Sequence, residues 1–380
     1  MIGTDYKTPG QLIQALLEFR GWTQRVLAIV LDTDESGLNK IVTGKRPIDA
    51  DLALGLSQIF DVPAEQFLQL QKEYDLAMAR LVSTPDPGLS TRAALFGDLP
   101  VSDMIKRGWL VGVDDVRQVR AVENALCKFF GVSSVEEIEI LPHAAKKTNV
   151  FSPATPAQLA WLYRVKQIAE ETLTAKYSRD ALVSTLEKFH TLLGSPEGTR
   201  KVPRMLTECG IRFVIVESLP GANIDGVCFW INDRSPVIGL SLRHDRIDNF
   251  WFVLRHECEH VLQNHGRSAA MLDTDLEKER AGTGIALPEE ERVANEAAAE
   301  FCVPQVSLNK FIERKAPFFA ERDIIGFART LNLHPGLVAG QLQYRTSRYE
   351  LFRHHLAKVR SLIAPNAMTD GWGDVAPIGL

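Results

Sequence analysis

Several features that would narrow the function at once are missing from this sequence. Its five cysteines (Cys127, Cys209, Cys228, Cys258 and Cys302) are odd in number, widely spread and form no CxxC pair, so no disulfide framework is encoded. No apolar run approaches the length of a membrane span, and the N-terminal MIGTDYKTPG lacks the basic and apolar regions of a signal peptide. A large charge excess is also lacking. The 43 Lys and Arg stand against 48 Asp and Glu, a net charge of −5, which excludes a general nucleic-acid binder and confines any DNA contact to a local patch. Internal repeats and low-complexity tracts are absent. These absences together imply a reduced, cytoplasmic protein with no membrane partner. At 380 residues and 45% hydrophobic content, the chain has room for two or three domains with their own cores.

Composition changes along the chain divide it into regions. Residues 1–81 carry short helical units, and VSTPDPGLST at 82–91 reads as a linker because its prolines and glycine break any periodicity. A helical middle region extends to residue 195. Within it Val116, Val119, Val122, Leu126 and Phe129 recur at helical spacing, and KKTNVFSPATP interrupts before long helices over 156–195. The third region, 196–362, opens with the β-rich runs IRFVIVE, GVCFWIN and PVIGLSL, which predict neighbouring strands, and returns to helix from about Ile247. Residues 363–380, containing PNAMTDGWGDVAPIGL, read as a loop-like tail. The fold class expected is mainly α with a small β-sheet (α+β).

In the first region Pro9 suits a first helical turn, with Leu12, Leu16 and Phe19 expected on its buried face. Gly21 ends that helix, Thr23 caps the next with Leu27 and Ala28 inward, and a turn near Asp32 and Thr33 leads to a helix over 34–42 closed by Gly44. This is the layout of a helix-turn-helix, whose second helix enters the major groove. With GKRPID and LALGLSQIFDVPAEQFLQLQKEYD, the segment resembles the Xre/Cro-type domain of HigA-like antitoxins over about one fifth of the chain. The resemblance implies operator DNA as a partner, with Asn39, Lys40, Lys45 and Arg46 as base or phosphate contacts. Against it stand Asp32, Asp34 and Glu35 at the start of the recognition helix, and eight Lys or Arg against eleven Asp or Glu over 1–80. A helix-turn-helix used for dimerisation or partner binding is the competing expectation.

The chemistry is concentrated in LRHECEHVLQNHG, residues 254–266. His256 and His260 are at i and i+4, so on a helix their rings project from one face and can share a metal ion. Glu257, the next residue after the first histidine, is placed to accept the proton of a water at that ion, which is the HExxH arrangement. Cys258 is about 200° round the helix from His256 and is excluded as a ligand. Phe252, Val253, Leu254, Val261 and Leu262 predict a buried helix, where ionisable groups are costly unless paired or metal-bound. Immediately upstream, PVIGLSL is expected as an edge strand against which an extended peptide substrate lies.

A third protein ligand is required, leaving one position for water. In PEEERVANEAAAEFCVP, Glu291 and Asn295 are four apart on a predicted helix, with Glu289 and Glu290 beside them. Here the chain resembles the ImmA/IrrE family of zinc metallopeptidases, whose HExxH helix is followed by a helix of the form E-x-x-A-N-x-x-A. The resemblance spans roughly residues 200–345. It implies a zincin-like fold, Zn2+ as cofactor, Glu291 as third ligand and Asn295 as a group orienting a histidine from outside the ligand set. Departures from the family pattern are Val293, Ala297 and Cys302. The implied chemistry is peptide hydrolysis with Glu257 moving the proton from water to the leaving amine. His334, His265 and Arg243 are candidates for oxyanion or substrate contacts, and Arg255 is a further one.

The combination implies a DNA-binding regulator fused to a zinc endopeptidase that cleaves a protein substrate, cognate toxin or repressor in stress, mobile-element or phage-defence control. A homodimer fits the helix-turn-helix. The alternative is a transcriptional regulator or antitoxin whose peptidase-like domain senses a ligand or partner and cuts nothing.

Overall fold

A computed structural model describes residues 6–82, 89, 93, 99–135, 137–138, 145–147, 154–274 and 288–377. The linker expected at 82–91 lies almost wholly outside the described residues, as do 148–153 of the second expected break. Contacts divide the chain into two compact units, Met1–Gly88 and Leu89–Leu380.

The first unit is helical: α1 (Pro9–Arg20), α2 (Gln24–Val30), α3 (Glu35–Val42), α4 (Ala50–Phe60) and α5 (Ala64–Val82). Short polar side chains start the first four. Thr8, Thr23, Asp34 and Asp49 each accept a hydrogen bond from a backbone N–H in the first turn of the helix that follows. Asp34 at the head of α3 is thus engaged with Gly37 N at 2.6 Å. Leu12, Ile13, Leu16, Leu27, Leu38, Leu56 and Phe67 form the core. The buried face of α1 is Leu12, Ile13, Leu16 and Leu17. Phe19, expected on that face, is instead 71% exposed, because it lies about 90° from the face's centre. Asn39, Lys40, Lys45 and Arg46 are all exposed.

The second unit is built on a mixed sheet with the order β1-β5-β3-β4-β2-β6 among the described residues. The strands are β1 (Ala145–Lys147), β2 (Arg212–Val216), β3 (Ile224–Trp230), β4 (Pro236–Leu240), β5 (Ala270–Thr274) and β6 (Met368–Asp370). Its helices are α6 (Val101–Lys106), α7 (Val119–Phe130), α8 (Pro156–Glu171), α9 (Arg179–Phe189), α10 (Val202–Glu208), α11 (Ile247–Leu262), α12 (Glu289–Cys302), α13 (Gln305–Lys315), α14 (Glu321–Thr330), α15 (Pro335–Thr346) and α16 (Arg360–Ile363). The result is α+β. Strand alternation assigns the layers. Phe213 and Ile215 of β2 face a core shared with Trp251, Leu254 and Val261 of α11, while Val214 and Val216 face one shared with Leu159, Val165 and Ile168 of α8. Because helices cover both faces, β3 and β4 are buried along their whole length, which explains their unbroken apolar sequence.

Three expectations change here. β4 is not an edge strand: it lies between antiparallel β3 and parallel β2, so it offers no free backbone edge to a substrate. The helical region before residue 195 falls within the second unit; α6, α7 and α8 share one hydrophobic core with the sheet, with Val122, Leu126 and Phe129 inward and Val116 in the turn before α7. The tail is more than loop, since β6 pairs in parallel with β2. One carboxylate ties the tail in. Buried Asp370 accepts from Arg164 Nε of α8 at 3.0 Å, from Trp109 Nε1 at 2.7 Å and from Ala376 N at 3.1 Å. Tail residues 378–380 lie outside the described set.

Candidate metal centre

α11 carries the HExxH residues through the middle of the second unit, and every residue in it except Arg255 is buried. Trp251, Val253, Leu254, Cys258 and Val261 fill the core between sheet and helices, which drives the helix inward and takes its polar residues with it. At its start, Arg246 Nη2 lies 2.7 Å from Asp248 Oδ2. A side chain at Gly340 of α15 would meet that Asp248 oxygen at 2.1 Å, so glycine there lets α15 lie directly on α11.

Four side chains converge on one point: His256 and His260 of α11, Glu291 of α12 and Asp273 of β5. All four are 0% exposed. The two histidine Nε2 atoms are 3.0 Å apart. His256 Nε2 lies 3.3 Å from Asp273 Oδ2 and 3.3 Å from Glu291 Oε2, and His260 Nε2 lies 3.3 Å from Glu291 Oε1. With bonds of about 2.0–2.1 Å, the donors around a tetrahedral ion stand roughly 3.3 Å apart. Both Glu291 oxygens are buried without a hydrogen-bond partner, an arrangement that is costly unless a cation satisfies them. Spacing, donor type and unsatisfied acceptors therefore fit a divalent metal ion.

Helical phase selects the carboxylate on α12. Glu291 shares its buried face with Ala294, Ala298 and Phe301, while Glu289 and Glu290 are exposed and Glu289 binds Arg292. Cys258 is on the opposite side of α11 in the apolar core, and burial pushes its thiol up to about 12. Glu257 is fully buried beside the cluster. A Cβ at Gly226 of β3 would fall 2.2 Å from its Oε1, so only glycine leaves room for that carboxylate. Burial, then the neighbouring charge of Asp273, raises the Glu257 carboxyl well above its usual range. Burial alone would lower the His256 pKa, but Asp273 and Glu291 raise it to about 10.

The four candidates for oxyanion or substrate contact each engage a neighbour in the folded chain. His265 Nδ1 lies 2.9 Å from His260 Nδ1, so it holds the ring that presents Nε2 to the cluster. His334 caps α15, its Nδ1 accepting from Gly336 N at 3.1 Å. Arg243 grips buried Asp225 through Nε at 2.7 Å and Nη2 at 3.2 Å. Arg255 pairs with Glu259 at 2.8 Å. Asn295 makes no hydrogen bond to a described histidine, and its Oδ1 is buried without a partner. It lines, with Phe252 of α11, Arg292, and Gln341 and Arg345 of α15, a cavity of about 490 Å³.

Sequence reasoning missed Asp273. The available signal was an aspartate inside AMLDT, a short apolar run after the HExxH helix, where an unpaired carboxylate would be costly to bury.

A buried helix-borne His-x-x-x-His pair joined by carboxylates from two other elements is a centre able to hold a metal ion. Residues 208–327 match the family of IrrE N-terminal-like domains, Peptidase_M78, so the chain carries a domain of this peptidase family. Over 72 residues, 19% of this chain, it is 38% identical to Virulence-associated protein I of Dichelobacter nodosus and covers 67% of that protein, which makes it a relative of that protein over this stretch. No solved structure matches the chain significantly. None of the helices among the described residues is long and apolar enough to cross a membrane.

Proposed function

We propose that the second unit is a zinc-dependent endopeptidase acting on a specific protein, in a regulator whose first unit contacts DNA. The observation that carries the peptidase reading is the convergence of His256, His260 and Glu291 at the spacing of a tetrahedral ion, with the Glu257 carboxylate beside them. Zinc bound there would supply Lewis acidity to a water and to the scissile carbonyl. Glu257 takes the proton released in the attack and gives it to the departing amine. Gly226 provides the space in which that carboxylate sits, and His265 fixes the orientation of His260. The match to a peptidase family over 208–327 supports the same reading.

Support for DNA contact comes from the paired short helices α2 and α3 and from the exposed Asn39, Lys40, Lys45 and Arg46 at and after the end of α3. Capping by Asp34 gives one of the acidic residues there a structural duty. A gel shift on the gene's own promoter at low salt tests this part, and loss of binding in Lys45→Ala with Arg46→Ala is the expected result.

Glu257→Gln tests the peptidase part. The variant keeps its fold and one equivalent of zinc and loses cleavage of the protein substrate. Full cleavage by that variant contradicts the reading. One observation favours the second reading, a sensor that does not cut. The four cluster residues and Glu257 are all sealed from solvent in the folded chain.

A further inference from the structure

β5 supplies one of the four buried side chains of the centre, Asp273. We propose that Asp273 is a fourth protein ligand, and that β5 thereby holds the centre in a closed, latent state. The proposal rests on the metal-centre reading above.

Three observations carry it. First, Asp273 Oδ2 is 3.3 Å from His256 Nε2, the same separation that Glu291 keeps from each histidine. Its carboxylate is therefore placed among the donors as a ligand is, and all four donors lie within 4.8 Å of one another. Metal sites that do chemistry use three protein ligands and leave a fourth position for water or substrate, whereas four protein ligands complete a tetrahedral shell. Second, Asp273 and Glu257 are both fully buried, so the side of the cluster that an incoming water or carbonyl must reach is covered by the chain itself. Third, β5 pairs antiparallel with β3, with Asp273 opposite Gly226 and Cys228 opposite Met271. β3 runs directly under Glu257, so the backbone edge to which an extended peptide would add as a strand is already taken by β5. The same five-residue strand thus fills both the ligand position and the strand seat. Leu272, pointing the other way, is buried in the core with α8 and fixes the strand there.

A regulatory device of this kind has a defined opening step. Withdrawal of Asp273 exchanges a carboxylate for water or for a substrate carbonyl and frees the β3 edge. The signal that withdraws it must displace β5 from β3.

The test uses the full chain loaded with Co2+, whose visible absorption reports coordination, and acetohydroxamate as a small probe that must occupy an open position. Wild type takes up one equivalent of Co2+, and its spectrum is unmoved by acetohydroxamate at concentrations that saturate the variants. Asp273→Asn keeps the shape of the side chain but weakens it as a ligand; it takes up Co2+ less tightly and binds acetohydroxamate at least tenfold more tightly than wild type. Asp273→Ala gives the same direction more strongly, and circular dichroism establishes that each variant is folded. Equal acetohydroxamate affinity in wild type and either folded variant overturns the proposal. Failure of wild type to take up Co2+ at all is a different result: it overturns the metal-centre reading itself.

Discussion

Gly226 and Glu257 are matched as space and occupant: a methyl group at residue 226 would lie 2.2 Å from Glu257 Oε1 and 2.9 Å from Val253 Cγ1. The glycine is in the middle of a buried strand, where its lack of a side chain weakens local packing, so its benefit is the room it gives the carboxylate.

Gly226→Ala therefore displaces Glu257 by an ångström or more. A shift of that size costs on the order of 100-fold in catalytic rate. The overpacking costs about 1–3 kcal/mol of stability. Metal uptake is expected to stay at one equivalent, since the atoms nearest such a methyl group belong to Glu257 and Val253. Cleavage assays paired with metal analysis separate the two effects; unchanged cleavage would show that Glu257 has other room.

His265→Ala tests the pairing of the two histidine rings at 2.9 Å. Removing an outer partner of a metal-binding histidine weakens metal affinity by about 10–100-fold. His265→Asn restores an acceptor and recovers part of the loss. An unaltered zinc dissociation constant in the alanine variant would assign His265 a packing role only.

Metal uptake at the cluster is expected to depend on pH through the proton on His256. Burial works to lower its pKa, but Asp273 and Glu291 raise it to about 10. Below that value the ring holds a proton that a cation must displace, so apparent affinity rises with pH, by roughly tenfold per unit for one displaced proton. Calorimetric titrations with zinc between about pH 6 and 8, in buffers of different ionisation enthalpy, measure both the slope and the proton released. A flat profile contradicts the assignment.

Asp370→Ala leaves Arg164 buried with its charge uncompensated, the side chain being 4% exposed. Breaking such a pair costs about 3–5 kcal/mol. Thermal unfolding of the second unit shifts down accordingly, and because Asp370 also holds Trp109 and Ala376, residues 368–377 lose hydrogen-exchange protection with it.

The parts of the centre that were legible in the sequence are those governed by local periodicity. His256, Glu257 and His260 are on one helix by the i, i+4 rule, and the choice of Glu291 over Glu289 and Glu290 agrees with helical phase on α12. Long-range pairing was not legible. Asp273 enters the cluster only because β5 adds antiparallel to β3, and no pattern in AMLDT specifies that neighbour. The place of β4 inside the sheet depends on the β2 and β3 registers, so its apolar run reads the same at an edge or in the middle. The pairing of His265 with His260 is not legible in the sequence either, because it depends on the turn at Asn264, with φ of +59°, which brings His265 back onto His260.

Metal content of the purified full chain is the most direct test of the central claim. Zinc titrated into metal-free protein is expected to bind with one equivalent to wild type at the buried centre, and the double variant His256→Ala, His260→Ala is expected to lose that equivalent while remaining folded by circular dichroism. Retention of the same zinc equivalent by the folded double variant, or no binding by wild type, would contradict the account.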